Sequence, residues 1–113
     1  PITDVINASD DKTKEAMLSD LSIRLSKLAA DLNVGIVSIG HTNDNGDFKY
    51  CRMIGQRASV IIDLDRDKEA DNMIDRNTTT LRVRKNRPCG LEGEAGKLLF
   101  DGETFTLSEK EGW

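Results

Sequence analysis

The sequence predicts an α/β domain built on a mixed sheet with a parallel central part, one long helix and a C-terminal antiparallel β-hairpin. Three observations carry that expectation. Leucines recur at steps of three and four over residues 12–32. A short run apolar on both faces, Gly35–Gly40, follows directly. Beyond it the apolar period falls to two, and an Asp-Gly pair divides the last two apolar stretches. A helix leading straight into a strand covered on both faces is half of a βαβ unit, which supplies the parallel part. Strands that follow with little helix between them supply the antiparallel edge.

Size and composition bound the possibilities. At 113 residues, 37% hydrophobic, 32% charged and 4% aromatic, there is room for one domain with a modest core. No apolar stretch approaches the roughly 20 residues of a spanning helix, so no membrane role is expected. Sixteen Lys and Arg against twenty Asp and Glu give a formal charge of −4. That excludes coating of nucleic acid by bulk charge and leaves only a local basic strip. Cys51 and Cys89 lie far apart with no CxxC pair and a single histidine beside them, so the expectation is a reduced, intracellular chain with no metal site. The chain opens at Pro1 in what reads as mid-domain sequence, so it is expected to be a piece of something longer.

The elements follow in order. Ser9, Asp10 and Asp11 offer N-cap side chains for a helix over Lys12–Leu32. Leu18, Leu21, Leu25, Leu28 and Leu32 draw one stripe along it, with Met17 and Ala29 alongside, and Asn33 and Gly35 end it. Core packing accounts for such a stripe more simply than a partner-binding zipper does. Gly35–Gly40 is the first strand, and the polar stretch HTNDNGDFKYCRM after it is a long loop. A brief turn around Gln56–Ser59 leads into a strand at Val60–Leu64, followed by a charged connection. Thr79–Lys85 alternates, with Leu81, Val83 and Lys85 on one face and Arg82 and Arg84 on the other. Lys97–Phe100 and Thr104–Leu107 flank an Asp101-Gly102 turn.

Three groups of residues are candidates for chemistry. His41, the only imidazole, stands where the first strand runs out into the loop, which is where open α/β sheets place ligand-contacting groups. From Arg76 to Arg87 there are five basic residues, Arg76, Arg82, Arg84, Lys85 and Arg87, and no acid. Lys85 and Arg87 end the strand beside Pro88, a stiff mount for cations that clamp phosphate oxygens. Arg82 and Arg84 suit a solvated face. In the loop, Lys49 and Arg52 interleave with Phe48 and Tyr50, and Arg57 follows, a composition suited to a sugar-phosphate backbone and stacked bases, although an ordinary surface loop is the competing account. There is no GxxxxGK[ST], no GxSxG and no close carboxylate pair.

Taken together, the leucine-striped helix, GIVSIGHTND, RMIGQRASVIIDLDRD, TTLRVRKNRPCGLEGEAG and LLFDGETFTL resemble the C-terminal half of the RecA-like (P-loop NTPase) motor core of hexameric replicative helicases of the DnaB superfamily. The likeness is to the branch of phage primase-helicases and the mitochondrial helicase Twinkle, and it covers nearly the whole chain. Its strongest signature is the basic strand ending Lys85-Asn86-Arg87, followed by a glycine-containing turn and a strand-DG-strand close. The resemblance implies that Arg87 is an arginine finger reaching the γ-phosphate held by a neighbouring subunit, that Lys85 assists it, and that His41 senses the γ-phosphate. It implies that the loop from Asn43 to Met53 lines the channel for single-stranded DNA, with Asn43, Lys49, Arg52 and, beyond it, Arg57 as contacts. It further implies a ring of identical subunits, a hexamer, and ATP or another NTP with Mg2+ bound mainly by residues upstream of Pro1, so that the piece alone is inactive. The compartment would be the cytoplasm, or the mitochondrion for a Twinkle-like chain. The alternative is a nonenzymatic single-strand-binding or ring-interface module, or a piece of a RecA-type recombinase.

Overall fold

The computed structural model describes residues 11–42 and 53–110. The chain forms two compact units, Pro1–Ala58 and Ser59–Trp113. The first holds helices α1 (Asp11–Leu32) and α2 (Met53–Arg57). The second holds β1 (Val60–Arg66), the single-turn α3 (Met73–Arg76), β2 (Thr78–Asn86), β3 (Gly93–Asp101) and β4 (Thr106–Glu109). The architecture is therefore mixed α and β, with one long helix and a four-stranded sheet. Among the described residues no helix is long and apolar enough to cross a membrane.

In the first unit the leucine stripe does what its spacing requires over its N-terminal half. Leu18 is fully buried, and Leu21 and Leu25 pack with it against Ile54 and Met53 of α2. Leu28 and Leu32, further along the same stripe, are exposed. Ser22 lies buried beside Leu18, and its hydroxyl donates to the Leu18 carbonyl at 2.7 Å, so the polar group is satisfied within the helix. Asn33 ends α1 in the left-handed region at φ 53°. The Asn33 N–H reaches the Ala30 carbonyl at 3.3 Å, and the Val34 N–H reaches Ala29 at 3.1 Å. This is the paired C-terminal closure of a Schellman motif, with asparagine in the position glycine usually takes.

In the second unit the strands lie in the order β1-β2-β3-β4, and each neighbouring pair is antiparallel. The connection from β1 to β2 explains the direction. Residues 67–77 contain only one helical turn, and a parallel return needs a crossover of about a dozen residues or more. That turn is well capped: the Asn72 side chain accepts from the Asp75 N–H at 2.8 Å and its amide donates back to the Asp75 carboxylate at 2.8 Å. At the other end, Arg66 donates from Nε to the Arg76 carbonyl and from Nη2 to Asn77 Oδ1.

Three expectations are corrected. Gly35–Gly40 forms no strand, and the four-stranded sheet of the second unit is antiparallel throughout. Extended backbone becomes a strand only beside a partner that pairs with its N–H and C=O groups, and this run is not one of the strands of the sheet. The closing hairpin exists, but its loop is residues 102–105, and Phe105 rather than Gly102 adopts the left-handed conformation, at φ 55°. Here the Asp101 carboxylate accepts the Glu103 N–H at 2.9 Å and starts the turn with a side chain.

The third correction concerns Lys85. Asp63 faces Arg82 and Ile62 faces Val83, but Ile61 faces Lys85, so Arg84 is an extra residue in β2, a β-bulge. A second bulge lies in β3, where Leu81 faces Gly96 and Arg82 faces Glu94. Strict alternation would put Lys85 with Leu81 and Val83. The bulge transfers it to the face of Ile61, Asp63 and Arg82. The opposite face is apolar, carrying Ile62, Leu64, Leu81, Val83, Leu98 and Leu107.

Candidate functional site

The end of β2 is the most constrained charged feature of the second unit. Its geometry starts at Asp63, whose two oxygens take a bidentate fork from Arg84, Nε at 2.9 Å and Nη2 at 2.6 Å. With side chains 34% and 22% exposed for Arg84 and Asp63, this pair is shielded enough to hold one geometry, unlike a fully solvated pair. Arg84 is therefore committed to its own sheet. Next along the strand, Lys85 is half-buried. Burial pushes its ammonium below the ordinary lysine range, and the Arg87 guanidinium adds to the effect.

Beyond Lys85 the chain is closed into a tight turn. The Asn86 carbonyl accepts the Gly90 N–H at 2.7 Å, and its side-chain amide donates to Cys89 Sγ at 2.9 Å and to the Leu91 carbonyl at 3.2 Å. Gly90 sits at φ 74°, where a side chain would be strained. Within the turn, the Arg87 N–H donates to the Ser59 carbonyl at 3.0 Å and carries the β1–β2 ladder one step past the strand end. Pro88 fixes its own backbone torsion and narrows the choices open to Arg87 before it. Arg87 is thus an exposed cation on an anchored base. Chemically, that arrangement suits recognition of an anion approaching from outside the sheet, since guanidinium presents its donors in a planar fork.

The remaining candidates are placed as follows. His41 is exposed and follows a stretch without strand structure, so the strand end expected to carry it is absent among the described residues. Arg57 is the exposed last residue of α2, where a cation complements the helix carbonyl end. Asn43, Lys49 and Arg52 lie outside the described residues. Among the described residues no group of three or more His, Cys, Asp or Glu is placed to hold a metal ion. A shallow recess of about 570 Å³ on the polar face of the sheet is lined by Asp65, Thr80, Lys97 and Lys110 among others. It mixes both signs of charge and gives no single ligand class.

Sequence reasoning missed Asp63 as a partner of the basic strand. The signal was present: VIIDLDR and TLRVRK both place charges at alternate positions, acids in one and bases in the other. Two such strands side by side bring opposite charges into register. Comparison with known proteins adds no assignment: no family model matches the sequence, and no curated protein matches it significantly.

Proposed function

We propose that this chain is part of an ATP-dependent replicative DNA helicase with a RecA-like motor core, which translocates on single-stranded DNA and unwinds duplex. The observation that carries the reading is the strand end Lys85-Asn86-Arg87, where an exposed guanidinium stands on a base fixed by the Ser59 and Gly90 hydrogen bonds. In phosphoryl transfer the protein mainly positions groups and neutralises charge. A cation held stiffly at the tip of a strand can enter a neighbouring subunit's nucleotide site with little loss of freedom at that moment. In this reading Arg87 is the arginine finger and Lys85 supports it.

The exposed apolar run Val34–Ile39 also supports the reading. Such a run suits the centre of a parallel sheet whose neighbouring strands lie outside this sequence, and His41 would then stand at its end as the γ-phosphate sensor. Asn43, Lys49, Arg52 and Arg57 would contact single-stranded DNA. ATP or another NTP and Mg2+ would be held mainly by residues outside this sequence, in a ring of identical subunits.

The test is Arg87→Ala in the longer ring-forming protein. Nucleotide binding should remain close to normal while DNA-stimulated hydrolysis falls by about 10³- to 10⁵-fold, the usual worth of such a finger. Undiminished turnover would overturn the assignment. Undiminished turnover with weakened single-strand affinity would instead favour the nonenzymatic binding module.

A further inference from the structure

We propose that Asp63 is a positioning residue for the Lys85–Arg87 strand end: its fork with Arg84 fixes the β-bulge that turns both cations to the polar face of the sheet. The inference rests on the finger reading for its functional consequence, but its structural half stands on the sheet register alone.

The argument begins with parity. Side chains alternate along a strand, so one extra residue reverses the face of everything beyond it. Up to Val83, β2 keeps the ordinary alternation, with Arg82 opposite Asp63 and Val83 opposite Ile62. Arg84 is the extra residue, and Lys85 then faces Ile61 while Asn86 faces Val60. The Arg87 N–H bond to Ser59 continues that register. Without the bulge, Lys85 and Arg87 would belong to the apolar face, alongside Ile62 and Leu64. The bulge therefore decides from which side of the sheet the cations project.

A bulge interrupts the ladder and needs a local interaction to hold it in one place. Asp63 supplies that interaction. Its two oxygens grip the bulged residue itself, at 2.9 and 2.6 Å. A bidentate guanidinium-carboxylate contact fixes orientation as well as distance, so it selects the bulged register over a slip of one residue. Asp63 meets Arg84, and Arg87 lies three residues further on, so the aspartate acts on the finger through the strand and not by contact with any ligand.

Two measurements test this. In the present chain, Asp63→Asn should speed hydrogen exchange of the Arg87 amide by about tenfold or more relative to wild type. The Phe100 amide, bonded to the Asn77 carbonyl at 2.9 Å in a different part of the sheet, should keep its rate. If Asp63→Asn loosens both amides, Arg84→Lys decides: it keeps the charge and gives up the fork, and must speed Arg87 alone. An Arg87 amide as slow as wild type in both variants overturns the proposal, and so does equal loss at both amides in Arg84→Lys.

In the longer ring-forming protein, Asp63→Asn should lower kcat for DNA-stimulated hydrolysis by about tenfold with KM for the nucleotide unchanged. Exchanging the two residues, Asp63→Arg with Arg84→Asp, should recover most of the loss. A swap that recovers nothing, or a KM that rises with kcat unchanged, counts against the proposal. The two ideas fail separately. Full turnover in Arg87→Ala ends the finger reading and leaves the amide result standing, whereas an abolished Arg87→Ala beside an unaffected Asp63→Asn ends only the positioning role.

Discussion

Val34–Ile39 and Val60–Leu64 are short runs of the same chemical kind, and they end in opposite conditions. In the first, Val37 is 95% exposed and the backbone forms no strand. In the second, Ile61 is 8% exposed and each residue from Val60 to Arg66 has a partner in β2. Composition does not separate them. What separates them is a neighbour: β2 returns after one helical turn and offers β1 a complete ladder, while the earlier run is not one of the strands of the sheet. Strand propensity is thus a preference for a pleated, partly covered surface, and it is realised only where the chain supplies that surface. Burial adds the second term, since covering a side chain of this size is worth about 1.5–3 kcal/mol.

The largest expected effect tests that contrast directly. Ile61→Ala should cost about 2–5 kcal/mol in urea unfolding, the range for removing a buried aliphatic side chain. Val37→Ala in the same chain should stay within about 0.5 kcal/mol, as for an exposed position. Equal costs would break the comparison, because they would mean that the apolar run is covered in solution. If the motor reading holds, the cost of Val37→Ala should rise towards the core range in the longer protein and remain small here. That outcome would sharpen the comparison into a statement about what completes the sheet.

Much of the local structure was legible in the sequence because it depends on near neighbours. The leucine steps fix α1, Asn33 ends it through its own backbone conformation, and the alternation in TTLRVRK reveals β2. The strand end with Lys85 and Arg87 was legible for the same reason. The bulge at Arg84 was not, since an extra residue has meaning only against the partner it is extra to. Lys85 was accordingly assigned to the wrong face, and Asp63 passed without a role. Gly35–Gly40 failed in the reverse way: its composition announced a strand, and the run is not one of the strands of the sheet. Phe105 illustrates a third limit, because the Asp-Gly pair pointed to a turn while the neighbouring phenylalanine took the left-handed position. There its ring meets Phe100 edge-on at 6.1 Å, a contact between residues that the turn itself brings together.

A smaller effect distinguishes the paired run's far end. Lys85 titrates below the ordinary lysine range, from burial first and Arg87 second. Its charged form is thus disfavoured by folding. Between its folded midpoint and the unfolded value of about 10.4, the unfolded chain binds more protons, so stability should rise with pH across that window. In Arg87→Ala the Lys85 midpoint, followed by NMR of its side-chain carbons, should move part of the way back up, because burial remains. A midpoint unchanged by Arg87→Ala would mean that the two cations do not share a face, and would weaken the register on which the comparison depends.

The smallest effect lies at the opposite end of the sheet, where pairing is shortest. β4 has only four residues, and its register with β3 is started by the loop that Asp101 organises. The Asp101 carboxylate is held below the ordinary aspartate range chiefly by the Glu103 N–H; desolvation opposes this, and Thr104 adds to the lowering through its side chain and backbone. The folded state therefore favours the ionised form. Its contribution is fully present above the unfolded value of about 3.9 and is lost as pH falls through the lower folded midpoint. Acid titration should consequently release the β3–β4 pairing before the β1–β2 ladder, read as earlier loss of protection at the Lys110 amide, which donates to the Lys97 carbonyl, than at the Arg87 amide, which donates to the Ser59 carbonyl. Asp101→Ala should remove that acid-dependent step and leave the hairpin already loosened at neutral pH. Simultaneous loss at both ladders, unaltered in Asp101→Ala, would show that the four strands open as one unit and that β1 owes its order to the whole sheet, not to β2 alone.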